Sequence, residues 1–368
     1  MNAATCKKIY TCTPVAFHAD DWFFIRDTGL ISSTLRSLGV ESKTIMPLPW
    51  YDEDKREHVI RTRPANLRSV QWWRAQKIDA VILYSWGDPR YTLVARAIRK
   101  AGIRLIIHLD FNGQDFTPIT KFPRALRSYV INKLRALHLS YAHTITTTPT
   151  ADNFLRNNSY YGPAIADKLH PFVTPVAPHF RYNGEKKEPT VLCIGNWTLP
   201  VKRPDFMRST ISQLLELHPT VQVEIYGKTD EQSHAWHTAL PLEHRQCVRL
   251  AGFADNATLP EIYNRAQICL CTSESEGTHI SSAEALCCGC SIVTTNRPER
   301  LPMVHWYTTK DSGCISEHDT PSSLASAITQ ELNAWQHGQR NPQHISATWQ
   351  PLFLSDIALS NLFHLRHA

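Results

Sequence analysis

The segment "QICLCTSESEGTHISSAEALCCGCSIVTT" (residues 267–295) decides the fold. It opens with a short apolar run that predicts a buried strand, residues 281–288 predict a helix, and "SIVTT" (291–295) predicts a second strand. Strand, helix and strand in this order indicate a βαβ unit with parallel strands.

The same alternation extends over the rest of the chain. In the N-terminal half it predicts strands at 7–13, 79–85, 103–110 and 143–148 and helices at 30–38, 89–100 and 124–138. In the C-terminal half it predicts further strands at 190–195, 221–227 and 247–253, helices near 203–217, 258–264 and 321–335, and an amphipathic segment at 351–365. We therefore predict an α/β fold of two Rossmann-like, doubly wound parallel-sheet domains facing a central cleft.

Four prolines interrupt the alternation in "PFVTPVAPHFRYNGEKKEP" (171–189), and this composition is typical of a linker. We predict an N-terminal domain at 1–170, the linker at 171–189 and a C-terminal domain at 190–345. The helical segment at 346–368 can pack back on the N-terminal domain.

The composition is that of an ordinary globular protein, with 42% hydrophobic and 20% charged residues. No apolar run approaches the length of a membrane span, and the N-terminus lacks the apolar core of a signal peptide. Several of the ten cysteines are adjacent or one residue apart, which does not suggest a secreted disulfide framework. We expect a cytoplasmic protein.

The net charge of +6 is unevenly distributed. Residues 1–170 hold 24 Lys and Arg against 14 Asp and Glu, whereas residues 171–368 hold 15 against 19. The basic half suggests an anionic partner, such as nucleic acid, an acidic membrane surface or an acidic glycan, and the alternative is a solvated surface with excess arginine. Basic helices at 90–104 and 121–135 can rest on an inner membrane face.

Two loops that follow predicted strands have the composition of an anion site. In "IGNWTLPVKRPDF" (194–206), Gly195 permits close backbone approach, and Lys202 and Arg203 stand at the start of the next helix. This loop lacks the P-loop pattern, which excludes the simplest NTPase interpretation.

In "SESEGTHISSAEAL" (273–286), a loop carries Glu276 and the following helix carries Glu284. The free amides near 278–282 predict an anion site at the helix N-terminus. Glu284 can accept hydrogen bonds from a diol such as a ribose, and Glu276 can point at another hydroxyl-bearing group.

These motifs together resemble the retaining GT-B glycosyltransferases of glycosyltransferase family 4. The resemblance is carried by Gly195 and Lys202, by Gly252-Phe253 with Leu259-x₃-Tyr263, and by a Glu-x₇-Glu motif with its glycines, Glu276, Gly277, Glu284, Ala285 and Gly289. It is specific from about residue 190 to residue 295 and only architectural over the first 170 residues.

The resemblance implies a role for each matching residue. Glu284 would hold the ribose of a nucleotide-sugar donor, Glu276 would contact the sugar hydroxyls as a candidate catalytic residue, and Lys202 would neutralise the diphosphate. The Gly252-Phe253 turn would border the base. The amides facing the diphosphate or the sugar would belong to Gly277, Thr278, His279 and Ile280. No metal and no cofactor are expected.

In the N-terminal half, His108 matches a family histidine that lies over the donor sugar and is the second candidate catalytic residue. Gly29 matches the glycine loop near the diphosphate and the acceptor. The chain departs from the family at Asn196, where an arginine usually follows the glycine, and Arg203 could supply that charge. Gly29 also stands alone where a glycine pair is frequent.

Structural interpretations compete with several of these roles. His108 and His279 could be satisfied packing residues, and the Asp-x-Asp in "YDEDK" (51–55) is typical of a solvated charged loop. The aromatic runs at 22–24 and 72–73 could pack in the core, stack on acceptor sugars or touch a membrane. The cysteines of 269–290 could hold zinc or an iron–sulfur cluster, but buried thiols that pack as small apolar groups are favoured.

The sequence therefore predicts a metal-independent retaining transferase that moves a sugar from a nucleotide-diphosphate sugar to a glycan or lipid-linked, anionic acceptor of the cell envelope. Nucleic acid is not the expected partner. Two alternatives remain open: a nucleotide-sugar 2-epimerase on the same fold, and a non-catalytic GT-B protein that binds a glycan or a partner. The absent arginine at Asn196 motivates the second alternative.

Overall fold

The computed structural model describes residues 7–17, 21–48, 56–109, 122–157 and 161–365. The chain forms two compact units. Unit 1 consists of Met1–Ala177 with Ser355–Ala368, and unit 2 consists of Pro178–Leu354. The motif "YDEDK" (51–55) and the side chain of Trp22 lie outside the described residues.

The described residues contain thirteen β-strands. They are β1 Ile9–Cys12, β2 Thr44–Pro47, β3 Val59–Thr62, β4 Ala80–Tyr84, β5 Arg104–Leu109, β6 Thr144–Thr147, β7 Leu169–Pro171, β8 Glu188–Ile194, β9 Gln222–Tyr226, β10 Val248–Gly252, β11 Ala266–Cys271, β12 Ser291–Thr294 and β13 Gly313–Ile315.

Seventeen α-helices lie between and after these strands in the same described ranges. They are α1 Asp21–Phe24, α2 Asp27–Ser37, α3 Pro64–Leu67, α4 Val70–Ala75, α5 Thr92–Lys100, α6 Phe122–Ser140, α7 Pro149–Asn157, α8 Pro163–Ala166, α9 Pro204–Leu217, α10 Glu231–Ala239, α11 Leu242–Cys247, α12 Leu259–Arg265, α13 Ile280–Cys287, α14 Pro302–Tyr307, α15 Pro321–Gln336, α16 Pro342–Phe353 and α17 Ser355–Phe363.

Unit 1 contains a seven-stranded sheet in the order β3-β2-β1-β4-β5-β6-β7, and every neighbouring pair is parallel. The strand order reverses direction between β1 and β4, where Ile9 lies opposite Ala80. Ligands of doubly wound folds bind beyond the carboxyl ends of the strands at such a switch point.

Unit 2 contains a six-stranded parallel sheet in the order β10-β9-β8-β11-β12-β13. Its switch point lies between β8 and β11, where Val191 is opposite Ile268. The predicted fold class, two parallel-sheet α/β domains, is therefore confirmed.

Central strands such as β4 are apolar along their whole length because both faces of the sheet are covered there. In β4, Val81 and Leu83 enter one core together with residues of α4 and α5, whereas Ile82 and Tyr84 enter the opposite core with residues of α2 and α17. The period-2 alternation of a strand thus sends neighbouring residues to different helix layers.

Two features of unit 1 differ from the prediction or were not predicted. The helical segment predicted at 346–368 is divided: Leu354 separates α16, which belongs to unit 2, from α17, which belongs to unit 1. The strands β2 and β3 were missed, because their residues give no long apolar run.

The aromatic pair at 72–73 packs in unit 1, where Trp73 is fully buried and its Nε1 donates to the carbonyl of Leu67 at 2.9 Å. Among the described helices, none is long and apolar enough to cross a membrane.

Candidate functional site

The loops after β8 and β11 meet at the switch point of unit 2, because the two strands are neighbours in the sheet. The hydroxyl of Thr272 donates to the carbonyl of Lys202 at 2.9 Å, and the amide of Glu274 donates to the carbonyl of Val201 at 2.7 Å. These bonds fix the backbone of one loop against the other.

Lys202 and Glu276 face each other across these loops. The Nζ of Lys202 lies 2.6 Å from Oε1 of Glu276, and the two side chains are 18% and 19% exposed. Burial alone would raise the pKa of Glu276, but the neighbouring His279 and Lys202 outweigh it, so the pKa of this carboxyl lies below its usual value. Because His279 is neutral at pH 7, Lys202 supplies the stabilising charge.

The backbone immediately before α13 has a left-handed conformation. His279 precedes the helix with a left-handed φ of 51°, and its Nδ1 lies 2.7 Å from the hydroxyl of Ser282. Burial lowers the pKa of His279 to about 4. A backbone strained in this way is typical of functional sites.

Thr278 is buried beside this helix start. Its carbonyl accepts a hydrogen bond from the hydroxyl of Tyr307 at 3.0 Å. Its own hydroxyl oxygen is buried with no hydrogen-bond partner among the described residues. A buried polar atom of this kind requires an explanation, and a ligand at the first turn of α13 would provide one.

Glu284 lies one turn inside α13 and is buried. The hydroxyl of Tyr263, on α12, donates to its Oε2 at 2.9 Å. Tyr263 is in turn fixed by Lys187, whose Nζ donates to the carbonyls of Tyr263 and Cys288, both at 2.7 Å. No sequence pattern indicates this role of Lys187, which lies in the charged end of the predicted linker.

The side chain of Asn196 forms hydrogen bonds within its own turn. It is exposed, and its Oδ1 accepts hydrogen bonds from the amide and the hydroxyl of Thr198, at 3.2 and 2.7 Å. Asn196 therefore stabilises the turn that follows Gly195. An added Cβ at Gly195 would meet its neighbours only at ordinary contact distance.

Arg203 precedes α9 with a positive φ of 55°. Its Nη1 lies 2.7 Å from Oδ1 of Asp319, and its guanidinium lies 3.8 Å from the ring centroid of Phe206. Arg297 contacts the other oxygen of Asp319 at 3.0 Å. The structure thus pairs Arg203 with Asp319, and Lys202 is the cation that contacts Glu276.

The remaining residues predicted for this site lie on adjoining loops. Gly252 ends β10 with a φ of 71°, its carbonyl accepts from the amide of Gly227 at 2.7 Å, and Phe253 after it is largely exposed. Gly277 lies in the loop before α13, and Ile280 is the first residue of that helix.

The predicted residues of the N-terminal half belong to unit 1. Gly29 lies in the first turn of α2, where an added Cβ would come within 2.0 Å of the carbonyl oxygen of Phe23. Close packing of α1 on α2 therefore requires a glycine at this position.

His108, in β5, is 1% exposed. Its ring packs against Tyr84 at 4.5 Å between centroids, and its Nδ1 lies 3.0 Å from the hydroxyl of Thr146. Its Nε2 has no hydrogen-bond partner among the described residues. Burial lowers the pKa of His108 to about 3, so the ring is neutral at pH 7.

A cavity of about 320 Å³ lies at the switch point of unit 1, and sequence reasoning did not identify it. It is lined by aromatic and polar residues, namely Thr13, Phe17, Phe23, Arg26, Asp27, Thr28, Tyr84 and Trp86. Burial raises the pKa of Asp27, although Arg26 and Tyr84 act in the opposite direction. The aromatic runs could have suggested the cavity, because Phe23 belongs to one of them.

The cysteines of 269–290 are buried thiols. All five are fully buried, and Cys290 Sγ donates to the carbonyl of Tyr263 at 3.0 Å. Burial raises the pKa of Cys271 to about 11. Within the described ranges, no group of His, Cys, Asp and Glu has the arrangement of a metal site.

The two sheets and their switch points define the GT-B fold, which solved structures share. The Anabaena protein HepE (Alr3699), in complex with UDP and glucose, is 14% identical over 97% of this chain and 98% of its own, with a TM-score of 0.64. Sucrose-phosphate synthase from Thermosynechococcus elongatus is 16% identical over 97% and 98%, with a TM-score of 0.65. The lipopolysaccharide outer core galactosyltransferase WaaB is 15% identical over 97% and 99%, with a TM-score of 0.62.

Within this fold, residues 188–334 match the family model described as glycosyl transferases group 1. Unit 2 therefore carries a domain of this type, and the matched residues include Lys202, Glu276 and Glu284. No curated protein matches the sequence of the chain.

Proposed function

We propose that the protein is a retaining, metal-independent glycosyltransferase of family 4 that takes its sugar from a nucleoside-diphosphate sugar. The contact between Lys202 and Glu276 at the switch point of unit 2 carries this proposal. It places a cation, a carboxylate and the N-terminus of α13 together, and these are the groups that a diphosphate and a sugar require.

The donor would bind through this pair. The diphosphate would replace Glu276 as the partner of Lys202, and the carboxylate released in this way would accept hydrogen bonds from the sugar hydroxyls. Glu284, oriented by Tyr263, would accept from the ribose, and the exposed ring of Phe253 would border the base. The HepE structures contain UDP or UDP-glucose, which makes UDP-glucose the first donor to test.

In the reaction, the acceptor hydroxyl oxygen would form a bond to the anomeric carbon of the sugar. The bond from that carbon to the diphosphate oxygen would break on the same face, and the hydroxyl proton would pass to an oxygen of the leaving diphosphate. Lys202 and the free amides of α13 would stabilise the negative charge that develops on this leaving group. His108 would remain neutral at pH 7, because burial lowers its pKa to about 3.

The acceptor would be a glycan or a lipid-linked glycan of the cell envelope. The cavity of unit 1 supports an acceptor with apolar faces, because Phe17, Phe23 and Trp86 supply aromatic surface and Asp27 supplies one buried carboxyl. The excess of Lys and Arg in the first 170 residues supports an anionic one.

The deciding experiment combines a donor screen with two substitutions. UDP-, ADP- and GDP-sugars are offered to the full chain, and donor turnover is followed with and without candidate acceptors. For the active donor, we expect Lys202→Ala to lower kcat/KM about 100- to 1000-fold, because a charge-stabilising group is removed from the leaving diphosphate. Glu284→Gln should mainly raise the KM for the donor.

Lys310→Ala provides the matched control, because Lys310 is an exposed lysine of unit 2 outside the site. Normal kcat/KM for Lys202→Ala would contradict the proposal. Conversion of the nucleotide sugar into another nucleotide sugar without an acceptor would indicate an epimerase. If no nucleotide raises the melting temperature of the protein, a non-catalytic binding protein is indicated. The NMR signal of the anomeric proton in the product distinguishes retention from inversion.

A further inference from the structure

Helix α6 of unit 1 has an unusual distribution of polar and apolar side chains. Its exposed residues include five large apolar side chains that are between 45% and 58% exposed, namely Leu126, Tyr129, Val130, Leu134 and Leu137. Its buried residues include Asn132, Arg135 and His138. A helix on the surface of a globular protein normally has the opposite arrangement.

The buried polar residues fix this orientation. The Nε of Arg135 donates to the carbonyl of Gly87 at 3.2 Å, and Nε2 of His138 lies 2.8 Å from the hydroxyl of Ser85. Burial lowers the pKa of His138 to about 4, so that it packs as a neutral ring. Rotation of α6 that buried the apolar residues would break these bonds, so their exposure is built into the fold.

The exposed apolar residues form one continuous row. Leu126, Val130, Leu134 and Leu137 follow one another at spacings of four, four and three residues, which places them on a single helix face. We call these four residues the outer row of α6. Tyr129 lies beside them. A contiguous group of exposed apolar side chains marks an interaction site.

The charges on α6 and on its neighbour α5 are all of one sign. Neither α6 nor its neighbour α5 contains an Asp or a Glu in its sequence. Lys133 on α6 is exposed, and the outward face of α5 carries Leu93 with the cations Arg96, Arg99 and Lys100. The surface therefore combines apolar side chains with positive charge and lacks acidic groups on both helices.

We propose that the outer row of α6 and the cations of α5 form a docking surface for an anionic lipid bilayer. Apolar side chains on one helix face can enter the boundary between headgroups and acyl chains, and flanking Lys and Arg side chains attract acidic headgroups. A protein groove could also accept the outer row, but the cations of α5 and α6, with no carboxylate on either helix, favour a negatively charged surface. The surface does not include the site of unit 2, so the inference is independent of the proposed function.

Flotation with lipid vesicles tests the proposal on the full chain. We expect the protein to float with vesicles that contain about 30 mol% phosphatidylglycerol in phosphatidylcholine, and not with phosphatidylcholine alone. The double variant Leu134→Gln/Leu137→Gln should lower the partition coefficient at least about tenfold, because two apolar side chains no longer enter the bilayer. Glutamine retains helix propensity, and circular dichroism checks that the helix is intact.

The matched control is Leu217→Gln/Leu242→Gln, which replaces two exposed leucines of unit 2 and should leave flotation unchanged. The proposal is overturned if the wild type does not float with acidic vesicles, or if the α6 variant floats as well as the wild type. It is also overturned if sedimentation velocity shows a dimer that only the α6 variant loses, because the outer row would then bind a second copy.

Discussion

Units 1 and 2 have the same topology at their switch points but different chemistry there. In unit 2, the two loops are tied by hydrogen bonds from the Thr272 hydroxyl and the Glu274 amide to backbone carbonyls, and by the pair of Lys202 and Glu276. In unit 1, the corresponding strand ends, after β1 and β4, surround a cavity with aromatic walls and the buried carboxyl of Asp27. The same strand order therefore provides a charged, preformed site in one unit and a largely apolar cavity in the other.

This difference shows which properties belong to the topology and which belong to the loops. The topology provides a concave edge at the carboxyl ends of the central strands. The loop residues decide whether that edge binds charge, as Lys202 does, or apolar surface, as Trp86 does. Three comparisons between equivalent positions test how far the two units differ.

The largest difference in stability is expected between substitutions of two glycines, Gly29 after β1 and Gly195 after β8. In Gly29→Ala, the added Cβ would lie 2.0 Å from the carbonyl oxygen of Phe23, so α1 and α2 must separate. We expect a loss of about 3 kcal/mol in the stability of unit 1. In Gly195→Ala the nearest atoms lie at 3.7 Å, and a change below about 0.5 kcal/mol is expected.

Hydrogen exchange of the strands in each unit measures this first comparison, because a two-unit chain need not unfold in one step. The exchange of β1 and β4 should accelerate only in Gly29→Ala. Equal effects of the two substitutions would show that α1 shifts without cost.

An intermediate effect is expected for two tyrosine hydroxyls that contact carboxyl groups. Tyr263 donates to Glu284 at 2.9 Å in unit 2, whereas Tyr84 lies 3.5 Å from Asp27 in unit 1. Tyr263→Phe should cost about 1–3 kcal/mol, because a buried carboxyl loses a well-formed bond. Tyr84→Phe should cost less than Tyr263→Phe, because the Tyr84 hydroxyl lies 3.5 Å from Asp27 and 3.4 Å from the hydroxyl of Thr174, and bonds of this length are weaker than one of 2.9 Å.

Chemical unfolding measures the stability of both tyrosine variants, and nucleotide affinity provides a second measurement. If Glu284 holds the ribose, only Tyr263→Phe should weaken nucleotide binding. A larger loss of stability in Tyr84→Phe than in Tyr263→Phe would reverse the comparison.

The smallest difference is expected in how steeply the stability of each unit falls with pH. Burial lowers the pKa of His108 to about 3 and of His138 to about 4 in unit 1, and of His279 to about 4 in unit 2. In the unfolded chain these groups bind protons near pH 6.5, whereas the folded units do not. The folded state is therefore destabilised as the pH falls from about 6.5 toward 4. Each histidine lowers the free energy of unfolding by about 1 kcal/mol for each pH unit.

Unit 1, with two of these histidines, should lose stability about twice as steeply as unit 2. The raised pKa of Asp27 opposes this trend in unit 1, because its folded form takes up a proton first. Hydrogen exchange of each unit, with intrinsic rates corrected for pH, at pH 6.5 and pH 5 measures both slopes. A steeper slope in unit 2 would contradict the prediction.

Much of the fold follows from the sequence, because strands such as β4 and β11 are short apolar runs bounded by clear helix signals. The strands β2 and β3 were missed because "TIMP" and "VIRT" are too short and too mixed in polarity to give a signal. The break at Leu354 was missed because the apolar spacing continues across it. Only packing in two different units separates α16 from α17.

The candidate site was predictable as far as strand order determines it. Lys202 and Glu276 each lie in a loop that follows a strand predicted for the parallel sheet, and the structure brings them together. The partners of Arg203 and Tyr263 were not predictable, because Asp319 and Lys187 are 116 and 76 residues away in the sequence. No local pattern indicates contacts of that range.

The helix α17 has a consequence for how the protein forms during synthesis. Its residues Leu359 and Phe363 are part of the core of unit 1 with Ile9 and Ile31, and Ser355 bonds to Thr34 at 2.8 Å. A ribosome completes every residue of unit 2 before it reaches α17. The unit that begins first is therefore the last to be finished, and its second core remains open to chaperones or proteases until residues 355–363 emerge.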